Sequence, residues 1–381
     1  MLLKSIEYSQ FVKKPNAWYL EKFLLGKINL IVGKNATGKT KVLNIIRGIS
    51  NLLSGVHKLV FNSGNYSLIF EKDGKTIEYI LCYENQGIYT EKLIIDGKTS
   101  LDRGAEGKGT IYAQKLGNDM EFQAPVHELV SVARRDSVQH PFFEDLHQWG
   151  QTTYHYFFGS QLGKDHLAVF SKEKREESLN FKETDKVVGF LRAGLTKHGQ
   201  AFVDSVKKDM AEIGYKISDI TIAPLKSIKV HGGLVATPEG IHVKEEDISD
   251  STDQNEMSQG MFRALSLIIQ LTLAQLESTP SCILIDDIGE GLDFERSSKL
   301  IKILIEKANN SPTQLIMSTN DRFVMNNVPL EYWGVLQRVG PTSKIFNYAN
   351  SKKIFDEFVF TGLSNFDFLS SEFYLKGFDK E

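Results

Sequence analysis

The chain is poor in cysteine, in long apolar runs and in excess charge of either sign. Its 381 residues include only Cys82 and Cys282, which excludes a disulfide framework and a cysteine-based metal site. No apolar run reaches the ~20 residues that a membrane-spanning helix needs, and residues 1–7 lack the features of a signal peptide. The formal net charge of −3 indicates no general affinity for nucleic acid. We therefore expect a cytoplasmic protein with no membrane partner.

The composition leaves room for a large folded structure. Hydrophobic residues make up 41% of the chain, which is ample for a sizeable core. This length predicts two domains, or one domain with an insertion.

The most informative segment is 30–40, where a buried strand, a G-x-x-x-x-G-K-T loop and an apolar helix follow one another. Gly33 and Gly38 permit backbone angles that turn successive N–H groups inward around a phosphate. The helix adds free N–H groups and the positive end of its dipole. Lys39 can reach the β- and γ-phosphates, and the Thr40 hydroxyl can hold Mg²⁺. The candidate phosphate-binding residues are Gly33, Lys34, Asn35, Ala36, Thr37, Gly38, Lys39, Thr40 and Lys41.

A second motif is the apolar run 281–285, which ends in Asp286 and Asp287. A central strand of a parallel sheet has this pattern, and its carboxyl end would place Asp286 beside the phosphate-binding loop. There Asp286 could orient Mg²⁺ and its waters, and Asp287 could align an attacking water. A plainer interpretation is that an acid in this segment caps the helix predicted at 295–308.

Segment 256–269 combines a helix N-cap, Ser258, with Gly260 and an apolar helix. By itself it is typical of an ordinary capped core helix. Its position favours a functional interpretation, because it lies between the two motifs above, and a strand ending in 318–321 follows them.

Taken together, these motifs resemble those of the ATP-binding-cassette (ABC) ATPases, and within them the SMC- and RecF-like recombination and phage-defence branch. Residues 257–261 resemble the L-S-G-G-Q signature and retain Ser258 and Gly260, while 286–293 align without a gap to D-E-P-T-S-A-L-D. Asn320 stands where the switch segment normally carries a histidine. The motifs cover about the first fifty residues and roughly 250–325. The resemblance implies these site residues: Asp286 as the Walker B acid, Asp287 at the catalytic-carboxylate position, Asp293 in the D-loop, Asn320 in the switch, and Ser258, Gln259 and Gly260 in the signature.

The same resemblance implies ATP and Mg²⁺ as ligands and a homodimer in which the signature of one subunit covers ATP bound to the other. Two departures from the family pattern predict slow hydrolysis. Asp287 is one methylene shorter than the usual Glu, and Asn320 can donate a hydrogen bond but cannot titrate.

The family also implies a glutamine loop that joins the phosphates and Mg²⁺ to the helical part of the fold. Gln139 is our first candidate and Gln123 the second, although a surface glutamine is the commoner case.

The middle of the chain carries no motif. Alternating runs from 57 to about 110 predict an antiparallel β-meander, and 141 to about 217 reads as helical. The predicted fold is therefore an α/β P-loop NTPase of the ABC type, with an added antiparallel β-layer and a short helical lobe. The predicted domains are a discontinuous nucleotide-binding domain (1–55 and 220–350), an insert (56–219) and an aromatic C-terminal tail (351–381).

The tail is rich in phenylalanine, which either docks on the chain's own core or binds a partner; we favour a protein interface. No nuclease domain is expected. These features predict an ATPase that dimerises around ATP and controls a partner effector, in bacterial anti-phage defence. The alternative is a DNA-repair clamp that binds DNA directly; a transport ATPase fits the motif departures poorly.

Overall fold

The computed structural model describes residues 1–56, 62–168, 180–227, 238–277 and 280–378. It is a mixed α/β fold that confirms the predicted class, with one large sheet, a small three-stranded sheet and helices on both faces of the large sheet.

The secondary-structure elements of the described residues alternate along the chain as expected for an α/β fold with an added β-layer. The strands are β1 (Leu2–Gln10), β2 (Trp18–Leu24), β3 (Ile28–Val32), β4 (Ser63–Lys72), β5 (Lys75–Glu84), β6 (Gly87–Ile95), β7 (Lys98–Arg103), β8 (Lys108–Ala113), β9 (Asn118–Gln123), β10 (Thr153–Phe157), β11 (Ile217–Pro224), β12 (Glu239–Glu245), β13 (Thr252–Asp253), β14 (Cys282–Asp286), β15 (Gln314–Ser318), β16 (Trp333–Val339) and β17 (Thr342–Asn347). The helices are α1 (Lys39–Leu53), α2 (Val130–Ala133), α3 (Phe142–Gln151), α4 (Val187–Ile213), α5 (Gln259–Glu277), α6 (Phe294–Asn309), α7 (Arg322–Asn327), α8 (Tyr348–Val359), α9 (Asn365–Ser370) and α10 (Phe373–Lys376).

One half of the large sheet is parallel, in the order β10-β14-β15-β3-β16. Every residue of β3 and β14 is buried, and successive side chains enter two different cores. Leu30 and Ile285 pack with α4, α5 and α6 on one face, whereas Ile31 and Leu284 pack with α1 and α3 on the other. Both strands therefore read as continuous apolar runs, as expected of strands covered on both faces.

The other half of the sheet is largely antiparallel and continues the same hydrogen-bonded ladder through β17, β2, β1 and β4 to β9. The predicted meander is confirmed in β4 to β8, and its hairpins turn at Asp73-Gly74 and Asp96-Gly97, which all have positive φ. The part of that prediction at 57–61 lies outside the described residues.

The prediction that 141 to about 217 is helical is wrong at 153–157, and its part at 169–179 lies outside the described residues. Residues Thr153–Phe157 form β10, which pairs in parallel with β14 at the edge of the large sheet. Four of its five residues are buried, although Thr153 and His155 are polar and alternate with Tyr154 and Tyr156. Because β10 falls inside the predicted insert, that insert contributes to the parallel part of the large sheet; the division into domains remains a prediction.

The C-terminal helices α8 to α10 pack on the chain's own core. Phe355, Phe358 and Phe368 are each at most 1% exposed, so a partner interface is the wrong interpretation for these three rings. Phe360 differs, because 88% of its surface is exposed. Across the described ranges, no helix combines the length and apolar character that crossing a membrane requires.

Candidate nucleotide site

The phosphate-binding loop joins the carboxyl end of β3 to the start of α1, as predicted. Gly38 has φ 107°, in the left-handed region that favours glycine. Gly33 is needed for a different reason, because a Cβ there would lie 2.5 Å from the carbonyl oxygen of Leu336. Ala36 also has positive φ, at 63°. The loop therefore has the tightly turned backbone that anion-binding N–H groups require.

Lys39 lies across this loop. Its Nζ donates to the carbonyl oxygens of Gly33 at 2.9 Å and Lys34 at 3.4 Å. Burial lowers the pKa of Lys39, and the nearby charges of Asp287 and Asp286 oppose that effect. A buried ammonium held by two neutral carbonyls lacks direct contact with a counter-charge, so a phosphate group fits this position.

Three other side chains of the loop and of the start of α1 contact neighbouring groups. Lys34 pairs with Glu372 of the C-terminal segment at 2.5 Å, and the Thr37 hydroxyl donates to the Lys34 carbonyl at 2.8 Å. The Lys41 ammonium lies 4.1 Å from the centroid of a Trp18 ring. Asn35, Ala36 and Thr40 are exposed.

The two predicted acids lie at the carboxyl end of β14. Asp286 is 5% exposed and accepts a hydrogen bond from the Ser318 hydroxyl of β15. Asp287 has φ 54°, and its N–H donates to the same Ser318 oxygen at 3.1 Å. The Asn320 amide donates to Asp287 Oδ1 at 3.2 Å, so the switch residue contacts the carboxylate directly.

Neighbouring groups shift the pKa of Asp287 in both directions. Burial, Asp286 and Glu290 raise the pKa of Asp287, while Lys39 and the Asn320 hydrogen bond lower it. These mutual effects show that the structure brings Lys39, both acids and Asn320 to one edge of the sheet.

The signature segment lies against other loops. The Ser258 hydroxyl accepts from the Met261 N–H at 3.2 Å, which confirms it as the N-cap of α5. A Cβ on Gly260 would lie 2.3 Å from the Gly291 carbonyl oxygen, so this glycine permits close backbone contact with the loop after β14. Gln259 Nε2 is 3.5 Å from the Ser160 carbonyl oxygen. Among the described residues, no hydrogen bond joins the signature segment to the phosphate-binding loop of the same chain.

Asp293 has a structural role of its own. It caps α6 by accepting from the Arg296 N–H at 2.9 Å, and its other carboxylate oxygen pairs with the Arg296 guanidinium. The helix-cap interpretation is therefore correct for this acid.

Sequence analysis missed Arg263, which connects three functional segments. From α5, its guanidinium donates to the carbonyl oxygens of Ser160 at 2.7 Å, Gly159 at 2.8 Å and Glu290 at 2.9 Å. The residue is only 8% exposed. An arginine in a largely apolar helix could have indicated this role from the sequence, because a buried guanidinium requires hydrogen-bond acceptors.

The structure does not bring either candidate glutamine to the acids. The Gln139 N–H is 3.3 Å from Asp136 Oδ1, and its carbonyl accepts from the Gln114 N–H at 2.9 Å, in the β-layer. Gln123 ends β9, and its carbonyl accepts from Arg134.

The loop after β10 lies beside the acids. Its Gly159 N–H is 3.4 Å from the Asp286 carbonyl oxygen, and the exposed Gln161 follows two residues later. Sequence analysis did not single out Gln161, because residues 153–157 were taken for helix.

Neither a protein-family model nor a curated protein sequence matches the chain. Solved structures of other proteins, however, are similar to it. An SMC head bound to the C-terminal winged-helix domain of ScpA is 11% identical, with 91% of this chain and 97% of that chain covered and a TM-score of 0.54. The SMC head of Thermotoga maritima is 15% identical, with coverages of 91% and 98% and a TM-score of 0.44. An SMC head with an extended coiled coil, bound to the C-terminal domain of ScpA from Pyrococcus furiosus, is 10% identical, with coverages of 94% and 99% and a TM-score of 0.47. The chain thus has the ABC-type ATPase fold of SMC head domains.

Proposed function

We propose that this protein binds ATP with Mg²⁺ and hydrolyses it. One observation carries the proposal: Lys39, the adjacent Asp286 and Asp287, and Asn320 come from three separate segments and meet beside a tightly turned phosphate-binding loop. Convergent polar groups with opposed charges at the carboxyl edge of a parallel sheet are typical of phosphoryl-transfer sites.

In the proposed reaction, the loop N–H groups and Lys39 hold the β- and γ-phosphates of ATP. Thr40, Asp286 and Gln161 are the side chains that would hold Mg²⁺, which neutralises charge on the phosphate oxygens when bound. Asp287 orients the attacking water and accepts its proton, and Asn320 positions the Asp287 carboxylate.

The structure supports slow turnover. Aspartate reaches one methylene less far than glutamate, so its carboxylate has to approach the attacking water from a shorter side chain. Arg263 is a positioning residue in this scheme, since it holds the loops that carry Gln161 and Asp287 against the signature helix.

We further propose that ATP joins two copies of the chain. Ser258 is exposed and caps α5, Gln259 is half-buried, and neither makes a hydrogen bond to the phosphate-binding loop of its own chain in its described part. In a dimer they could donate to ATP bound by the other copy.

Light scattering with and without ATP and Mg²⁺ tests both proposals. We expect Asp287→Ala to retain ATP and double its mass, because the dimer forms and hydrolysis no longer dissolves it. Lys39→Ala should bind no ATP and remain at its starting mass. Hydrolysis at the wild-type rate by Asp287→Ala would show that another residue is the base.

We propose that the ATPase controls a partner effector in anti-phage defence. The motif resemblance supports that setting, and an SMC head of the same fold is bound to a domain of ScpA. The C-terminal helices also leave Val359, Phe360 and Leu363 exposed. Pull-down from the native host with wild type and with Phe360→Ser tests this, and an identical set of bound proteins would refute a role for Phe360.

A further inference from the structure

A cluster of basic side chains lies between α1 and β10, away from the phosphate-binding loop. Arg47 and Asn51 are one helical turn apart on α1, and Thr153, His155 and Phe157 alternate along β10 and so share one face. The Arg47 guanidinium lies 5.2 Å from the centroid of the Phe157 ring. The His155 ring centroid lies 4.1 Å from that of Phe157.

Lys182, in the segment before α4, completes the group. Its Nζ donates to Asn51 Oδ1 at 2.9 Å and is 3.4 Å from the Thr153 carbonyl oxygen. We call Arg47, His155 and Lys182 the basic cluster.

The basic cluster has no counter-charge among the described residues. Arg47 is half-buried and makes no hydrogen bond or ion pair there, and both acceptors of Lys182 are neutral. His155 is 5% exposed, and neither of its ring nitrogens has a hydrogen-bond partner. Buried polar groups without partners are rare in folded proteins, and each one calls for a physical explanation.

The electrostatics agree with this geometry. Burial lowers the pKa of His155 to about 3 and that of Lys182 to about 7, and in both cases the Arg47 charge adds to the effect. Within the described part of the chain, no carboxylate contributes to either shift. Burial and the Arg47 charge thus disfavour the charged forms of His155 and Lys182, and no described acid offsets this effect.

We propose that the basic cluster is a second anion site, which binds a phosphate group. Arg47 offers a planar fork of donors that matches two phosphate oxygens, and Lys182 and His155 can supply further donors. A phosphate dianion balances two cations, whereas a single carboxylate would leave one of them unpaired.

This site is distinct from the proposed ATP site. Arg47 lies eight residues beyond Lys39 on α1, which corresponds to about 12 Å along the helix axis. The inference does not depend on ATP hydrolysis.

Equilibrium dialysis with radiolabelled inorganic phosphate tests the proposal. The full-length chain carrying Lys39→Ala is the reference, because that change weakens phosphate binding at the loop. We expect one phosphate per chain in this background. Adding Arg47→Gln should weaken binding about tenfold or more, as expected for loss of a charge-assisted hydrogen bond.

Two further variants keep the test decisive. Lys182→Gln removes a second cation of the cluster and should also weaken binding. Lys186→Gln is the matched control, because it removes the same charge four residues away from an exposed ion pair with Glu183. Phosphate affinity equal in all of these proteins, or no binding in the reference, would overturn the proposal.

A competition arm identifies the source of the phosphate. Displacement of labelled phosphate by a short DNA duplex indicates a nucleic-acid backbone, and displacement only by unlabelled phosphate or a nucleoside monophosphate indicates a small ligand. In either case Arg47→Gln must weaken the binding that is competed.

Discussion

Replacing Arg263 with lysine separates catalytic positioning from general stability. Lysine retains the positive charge but presents one ammonium in place of a planar fork. It cannot reach the carbonyl oxygens of Gly159, Ser160 and Glu290 together, all of which Arg263 contacts within 2.9 Å.

The expected magnitude follows from those contacts. If lysine keeps one of the three bonds, two are lost, and each bond from a charged donor contributes about 1.5–3 kcal/mol. The free energy of unfolding should therefore fall by about 3 kcal/mol or more. Catalysis should fall further than stability predicts, because a displacement of ~1 Å in a catalytic loop costs about a hundredfold in rate.

Urea denaturation and steady-state ATP hydrolysis measure the two effects. Arg103→Lys is the matched control, because Arg103 is also buried and contacts three acceptors. These are the carbonyl oxygens of Glu128 at 2.7 Å and Pro125 at 2.8 Å, and Glu91 Oε2 at 3.4 Å. Arg103 lies in the β-layer and contacts none of the site residues. Its replacement should lower stability by a similar amount and leave kcat unchanged.

The reasoning is refuted if Arg263→Lys leaves kcat within about threefold of wild type, a loss of under 1 kcal/mol in activation free energy. It is also refuted if Arg103→Lys lowers kcat as much as Arg263→Lys does, since the loss would then follow stability alone.

Three further predictions concern the same site. Asp287→Asn should raise the free energy of unfolding in urea more at pH 8 than at pH 3. The pKa of Asp287 is raised in the folded protein, so its ionisation opposes folding at the higher pH. An equal effect at both pH values would contradict this. Gly260→Ala places a Cβ 2.3 Å from the Gly291 carbonyl oxygen, so the backbone there has to shift. We expect this variant to bind ATP but not to double its mass with ATP. Detection of an ATP-dependent dimer by light scattering would count against this prediction. Glu372→Gln should change the ATP dissociation constant less than about fivefold, because the solvent screens its exposed ion pair with Lys34. A larger change in equilibrium dialysis would mean that the C-terminal segment controls the loop.

Features that depend on residues close together in the sequence were predicted correctly. The loop between β3 and α1, the buried strand β14 and the Ser258 cap of α5 all depend on residues that are neighbours in sequence, so local chemistry suffices to predict them. The two Asp-Gly turns of the β-layer belong to the same class.

Two errors came from contacts between distant parts of the chain. The alternation of polar and aromatic residues in 153–157 is a short strand pattern, but its partner β14 lies more than a hundred residues away, so only the fold shows that the two strands pair. Missing β10 hid Gln161 and left Gln139 as the candidate. The phenylalanines of α8 and α9 were misread for a similar reason, because burial depends on what an element packs against.

The sequence by itself determined the nucleotide motifs and the α/β class, because a phosphate-binding loop needs glycine, lysine and a helix start in consecutive positions. Only the tertiary structure decided which glutamine follows the edge strand, which carbonyl oxygens Arg263 holds and which basic side chains meet beside α1. Those relations join residues that are far apart in the chain, and only packing and strand pairing bring them together.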